Sequence, residues 1–225
     1  AVMNSPELRE IYNANLPKIS QFHVELTQDQ QLFEKFKQLC NSTEFNTLSS
    51  ARKKIIENEL RDFRLGGAEL PPEKKARFLQ IHEELSALSS KFSDNLLDAT
   101  NDFTLLVENI NELTGIPEDI LQAASLAAEK ETASSKPGWK FTLHMPSYLP
   151  VMQYADNRCL REKMYCAYVT RSSELNSDAS LIGTDGKWDN MPLINKILKL
   201  RFEEAKMLGY DNFAEVSLVT KMATT

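Results

Sequence analysis

Residues 71–99 read PPEKKARFLQIHEELSALSSKFSDNLLDA, and this run decides the fold. Phe78, Ile81, Leu85, Leu88, Phe92 and Leu96 recur at spacings of three and four, which lines them along one face of a helix, close to a heptad seam. Pro71-Pro72-Glu73 supplies the start. A proline in the first turn loses no hydrogen bond, and an acid there meets the positive end of the helix dipole. The pattern predicts the longest helix of the chain, ending near Ala99.

Working upstream, Ser49 or Ser50 caps a helix whose apolar face is Ile55, Ile56, Leu60 and Phe63. It stops at Gly66-Gly67, where a left-handed cap is wanted, and the short loop that follows implies antiparallel packing on the long helix. Ser5-Pro6-Glu7 opens another helix carrying Leu8, Ile11, Tyr12, Leu16, Ile19, Phe22 and Leu26, with a kink or break expected at Pro17. Thr27-Gln28-Asp29-Gln30 is a capping box that restarts a helix bearing Leu32, Phe33, Phe36, Leu39 and Cys40. Residues 41–48 read as a loop with a turn at Thr43-Glu44-Phe45.

Downstream, Phe103, Leu105 and Val107 alternate with Thr104 and Leu106, and Trp139, Phe141 and Leu143 alternate with Lys140, Thr142 and His144. Both stretches predict strands, forming a small ribbon that must lie on helices because an isolated pair is marginal. Between them Ile116-Pro117-Glu118 begins a helix to about Glu131, followed by a loop from Thr132 to Gly138. Ser147 is expected to cap a turn, with a helix beginning at Pro150 and another after Asp156-Asn157 carrying Leu160, Met164, Ala167 and Tyr168. Glu174 to Asp189 is polar and reads as a surface loop. Asn190 is expected to cap a helix through Ile194, Ile197, Leu198 and Leu208, and Asp211 to start the last one. The fold class is all-α, mainly antiparallel helices, with a minor two-stranded β-ribbon.

Composition agrees. Of 225 residues 42% are hydrophobic and 26% charged, enough apolar material for a core. Only 7 are glycine, which disfavours hairpin-rich sandwiches and glycine-rich phosphate loops. The net charge of −6, from 26 basic and 32 acidic residues without a strong block of either sign, excludes nucleic acid as a natural partner. No apolar run approaches the ~20 residues of a membrane helix and none reads as a signal peptide, so no membrane partner is expected. Cys40, Cys159 and Cys166 lack metal spacing. Cys159 and Cys166 are expected to share a helix face as small buried thiols in a reducing cytoplasm.

Chemistry is harder to find. His82-Glu83 lies in the strong helix, but a helical zinc site needs a second histidine four residues on, and Ser86 stands there. His82 is expected to face solvent beside the apolar seam. His144 at a strand end and His23 beside Phe22 have no local partner in sequence. The chain has no Gly-x-Ser-x-Gly elbow, phosphate loop or dinucleotide fingerprint. Glu73-Lys74-Lys75 and Arg201-Phe202-Glu203-Glu204 read as solvated faces with pairing along one helix.

Several longer strings carry more. NELRDFRL (58–65), LPPEK (70–74), LSSKFSDNLLDAT (88–100), PSYLPVM (146–152), REKMY (161–165), AYVTR (167–171), GKWDN (186–190), LGY (208–210) and SLVTKMA (217–223) occur in order and span nearly the whole chain. Together they resemble the N-terminal half of the thimet-oligopeptidase-like zinc metallopeptidases. The resemblance implies a mostly helical protein whose two halves enclose a deep channel that admits short peptides and excludes folded proteins. It also implies zinc in the complete protein, held by two histidines of a His-Glu-x-x-His helix and a later glutamate, with the motif glutamate as general base. Those residues belong to the C-terminal half.

This sequence reaches Thr225 without them, so no catalytic residue and no metal ligand carries over, and substrate-binding residues are not identified. The expectation for residues 1–225 is therefore a helical, non-catalytic fragment of a cytoplasmic zinc oligopeptidase. It would form scaffold and channel wall, bind no cofactor itself, and have the C-terminal catalytic half of the same chain as its partner. A non-enzymatic helical interaction module is the competing expectation.

Overall fold

The run at 71–99 forms a single helix, α5 (Pro72–Asp102), in the computed structural model, which describes residues 5–131, 138–177 and 186–223. Before it come α1 (Pro6–Thr27), α2 (Gln30–Cys40), α3 (Thr43–Thr47) and α4 (Ser50–Leu65). After it come β1 (Thr104–Val107), α6 (Glu118–Glu131), β2 (Trp139–Thr142), α7 (Met145–Tyr154), α8 (Arg158–Val169), α9 (Met191–Met207) and α10 (Phe213–Leu218). The fold is helical with one two-stranded antiparallel sheet among the described residues. The chain divides into two compact units, Ala1–Ser90 with Ile194–Thr225, and Lys91–Leu193.

In the first unit, α2 and α4 pack on each other around Phe33, Ile56, Leu60, Phe63 and Ala68. Phe63 meets Phe33 and Phe36 at ring separations of 5.6 and 5.7 Å, tilted as aromatic quadrupoles prefer. α4 also makes contact with α1. The loop at 41–48 tightens into α3, capped by the Ser42 hydroxyl, which accepts from Phe45 N.

α1 runs unbroken through Pro17, so of the kink or break expected there the break is excluded. One helix start differs from the sequence reading. α7 begins at Met145, five residues before Pro150, and contains both Pro146 and Pro150. Ser147 does not cap it; its hydroxyl accepts from Thr142 N at 2.9 Å and ties β2 to the helix.

α5 extends to Asp102 and its buried face drifts. Phe78 and Ile81 are fully buried, but beyond Phe92 it is Asn95 and Ala99 that turn inward, while Leu96 is exposed. A straight 3.6-residue helix rotates relative to a heptad repeat, so a seam read over about five turns drifts off the buried face before its end.

A charged cluster joins α5 to α9 within the first unit. Arg77 makes a two-pronged contact with Glu203, both oxygens at 2.7 Å, and reaches Glu84 at 3.4 Å; Lys196 lies 3.1 Å from the other Glu84 oxygen. The 201–204 run therefore pairs across helices, and Glu204 is buried, which corrects its reading as a solvated face. Hydrogen bonds from Arg77 hold the Glu203 carboxyl below its ordinary 4.5, and Lys196, then Arg77, do the same for Glu84. Carboxylates with lowered folded values contribute stability above their ordinary value and lose it as pH falls through the folded one. Glu203→Gln is thus expected to remove part of the acid destabilisation below pH 4.5. The effect at neutral pH should stay under about 1 kcal/mol, because the two side chains are 38 and 41% exposed. Urea titrations of both proteins between pH 3 and 7 check this; identical pH profiles would refute it.

The second unit carries the larger core. β1 and β2 pair antiparallel with Leu105 opposite Phe141 and Val107 opposite Trp139. Phe103, Val107, Phe141 and Leu143 point into a cluster with Leu113, Ile116, Tyr148, Val151, Leu160 and Met164, closed by α6, α7 and α8. The alternation read from the sequence selects the buried faces of both strands.

Candidate functional site

The three histidines do not form a site. His23 is exposed and stacks edge-on against Phe22. His144 is exposed at the N-cap of α7, with no side-chain capping bond. His82 is half-buried, which corrects its reading as solvent-facing: its ring lies 4.5 Å from that of Phe78, and Nε2 stands 3.3 Å from Glu204 Oε1 without hydrogen-bond alignment. Ser86, at the position where a zinc helix needs histidine, receives a hydrogen bond from Ser20 Oγ at 2.9 Å. Among the described residues no three His, Cys, Asp or Glu side chains gather so as to hold a metal. These residues do not fit zinc.

The cysteines are free thiols, but only Cys40 and Cys166 are partly buried. Cys159 is exposed in the first turn of α8, against the expectation of two buried neighbours. An open depression of about 360 Å³ lies on α7 and α8, lined by Met152, Arg158, Arg161, Glu162 and Tyr165. Arg161 is committed elsewhere: its guanidinium donates to the carbonyls of Ala155 and Asp156 and holds the α7–α8 junction.

The second unit contains a built polar cluster that sequence reasoning missed. Asn95 Nδ2 donates to Asn190 Oδ1 at 2.8 Å, Asn190 Nδ2 donates to Phe92 O at 3.1 Å, and Asn190 N donates to Ser172 O at 2.9 Å. Asn95, Ser172 and Asn190 are all buried. Asn190 therefore does not cap α9 as expected; Asp189 Oδ1 accepts from Met191 N instead. The Asn190–Ser172 bond closes the two ends of the polar segment that begins near Glu174. Half of that expected surface loop, residues 178–185, lies outside the described residues.

Nearby, the Tyr148 and Tyr168 rings stack at 4.2 Å and the Arg171 guanidinium covers Tyr168 at 3.7 Å. Arg171 also donates to Thr100 Oγ1 and to Tyr168 O. Burial, then the neighbouring tyrosines, pushes the Tyr148 phenol above its usual value, so it stays neutral. Four of the strings that carry the resemblance meet in these contacts: 88–100, 146–152, 167–171 and 186–190. In these contacts their work is positioning.

Ser172 marks the strain in this cluster. It sits at φ 53°, left-handed for a non-glycine residue, and its buried hydroxyl has no hydrogen-bond partner. Ser172→Gly should relieve both costs and raise stability by up to about 1 kcal/mol, net of glycine's greater freedom in the unfolded chain. A denaturation midpoint that falls would show that the hydroxyl is held by a bond the fold needs.

Comparison with known proteins supplies what the geometry lacks. The N-terminal domain of neurolysin and thimet oligopeptidase matches residues 1–75, and peptidase family M3 matches residues 151–225. Oligopeptidase A of Haemophilus influenzae is 48% identical over 99% of this chain, and that of Escherichia coli 45% over 99%. Dipeptidyl carboxypeptidase of Escherichia coli is 26% identical over the whole chain. The chain spans only 31 to 32% of the length of these relatives. With two family matches at its ends and 45 to 48% identity to oligopeptidase A across 99% of its length, the chain is similar over nearly all of its residues to the thimet-oligopeptidase-like peptidases of family M3.

Proposed function

We propose that residues 1–225 are a non-catalytic helical region of a zinc oligopeptidase, forming scaffold and part of the wall of a channel that admits short peptides. The reacting groups would come from another region of the same polypeptide. The observation that carries the reading is the 45 to 48% identity to oligopeptidase A over 99% of this chain but only about 31% of the relatives' length. The described residues assemble two packed cores and a buried polar clamp, which supports a scaffolding role. A cytosolic setting is part of the proposal: one Arabidopsis thaliana relative, 42% identical, is described as a probable cytosolic oligopeptidase A. No helix among the described residues is long and apolar enough to cross a membrane.

The test compares the complete gene product with residues 1–225, using zinc analysis and a quenched fluorescent peptide. The complete product should bind zinc and cleave the peptide in an EDTA-sensitive way, and residues 1–225 should do neither. Stoichiometric zinc with EDTA-sensitive cleavage by the 225 residues alone would overturn the proposal. A natural reading frame that stops at Thr225 would favour the interaction-module reading instead.

A further inference from the structure

α1 is amphipathic in the wrong sense for a finished surface helix. Its inward side carries Arg9, Leu16, Ser20, Val24 and Thr27, of which only Val24 is fully buried. Its large apolar side chains, Leu8, Ile11, Tyr12, Ile19, Phe22 and Leu26, are 44 to 61% exposed. At 100° per residue these six form one continuous stripe, turned roughly a third of a revolution from the packed side and about 27 Å long. A soluble helix normally buries such a stripe, and a patch of this kind marks a contact surface.

From this stripe we infer that α1 is a docking face for an amphipathic helix from a part of the same polypeptide outside residues 1–225. The inference rests on the proposed function, because it takes the complete protein to have the length of its relatives, of which this chain covers 31 to 32%. Charge argues against a second copy as the occupant. Glu7 and Glu25 lie near the two ends of one edge of the stripe, with Lys18 between them, and antiparallel pairing of two α1 helices sets each edge against itself. Glu7 of one copy would then oppose Glu25 of the other, a like-charge contact. The fitting partner presents an apolar stripe of four to five helical turns with lysine or arginine opposite Glu7 and Glu25 and an acidic or neutral residue opposite Lys18.

Hydroxyl-radical footprinting of the complete gene product, read by peptide mass spectrometry, tests this without any substitution. Tyr12, Ile19 and Phe22 are expected to be oxidised severalfold more slowly there than in residues 1–225, approaching the protection of buried Phe33. Oxidation of the three at the rate of freely exposed side chains in the complete protein overturns the inference. So does protection that disappears on dilution, which would identify a second copy, or a reading frame ending at Thr225. The peptide assay on the same sample separates the two proposals. Cleavage with an unprotected stripe removes the docking face alone, whereas a protected stripe without cleavage removes the enzymatic reading alone.

Discussion

Phe141→Ala is expected to destabilise the 91–193 unit by about 3–5 kcal/mol, the usual cost of emptying a fully buried phenylalanine site. The ring is 0% exposed, stands opposite Leu105 in the ribbon and belongs to the cluster closed by α6, α7 and α8. A two-stranded ribbon is marginal by itself, so its hold on the helices comes from this face. The loss would be a large part of the roughly 5–15 kcal/mol that a domain possesses. Leu106→Ala is the control. Leu106 lies next to Leu105 on the opposite, 47% exposed face, and its truncation should cost no more than about 0.5–1 kcal/mol. Because two units need not unfold together, hydrogen exchange of the amides at 103–107 and 139–143 is the cleaner measurement. Near-equal protection in the two variants would show that the ribbon is held by something other than its inner face.

How much of this was legible in the sequence depends on the range of the interaction. The strand alternation at 103–107 and 139–143, the long helix at 72–102 and the caps at Ser5 and Asn157 are local patterns, and they were read correctly from spacing and residue type. The capping box read at residues 27–30 sets the cap two residues early: Asp29 caps α2, and Thr27 closes α1. Pro150 misled because a proline marks a helix start only when nothing else orders the segment before it. The α1 stripe was legible as a stripe, but a helical period says that one side is apolar and cannot say what covers it. Asn190 was the most instructive case. Its position before Pro192 looks like a cap, yet its side chain is bound by Asn95, ninety-five residues away in sequence. His82 and Glu204 meet in the same long-range manner. Side-chain contacts across such separations leave no trace in periodicity.

The same division explains why the family was readable and the chemistry was not. The strings that resemble the family are dense in residues that cap, stack and clamp, as Asn95, Tyr148, Tyr168, Arg171 and Asn190 do here. Positions of this kind tolerate little substitution, because each would leave a buried polar group unpaired or a stack broken. A resemblance carried by them identifies the scaffold and is silent on the site that the scaffold serves.

Gly115 gives the second large effect, and the reason is local backbone crowding. It sits at φ 90°, between buried Leu113 and Ile116, in the turn that leads into α6. A Cβ placed there would lie 2.2 Å from the carbonyl oxygen of Tyr154 and about 3 Å from the Asp156 carboxyl. That carbonyl cannot retreat easily. Asp156 N donates to Thr114 O at 2.8 Å, and Arg161 holds the carbonyls of Ala155 and Asp156. Relief would require the turn to withdraw, giving up the 114–156 bond and drawing Leu113 and Ile116 from the core. Adding a left-handed penalty of about 1–2 kcal/mol, a hydrogen bond of about 1 and the lost apolar burial, Gly115→Ala should cost about 3 kcal/mol or more. Two comparisons separate conformation from contact. Gly209 has φ 85° but nothing within 4 Å of an added Cβ, so Gly209→Ala should cost only the conformational part. Asparagine tolerates left-handed backbone, so Gly115→Asn would recover stability if φ were the whole difficulty; the Tyr154 contact says that it will not. A Gly115→Ala cost no greater than that of Gly209→Ala, measured by urea denaturation, would mean that the junction between this turn and the α7–α8 corner yields freely.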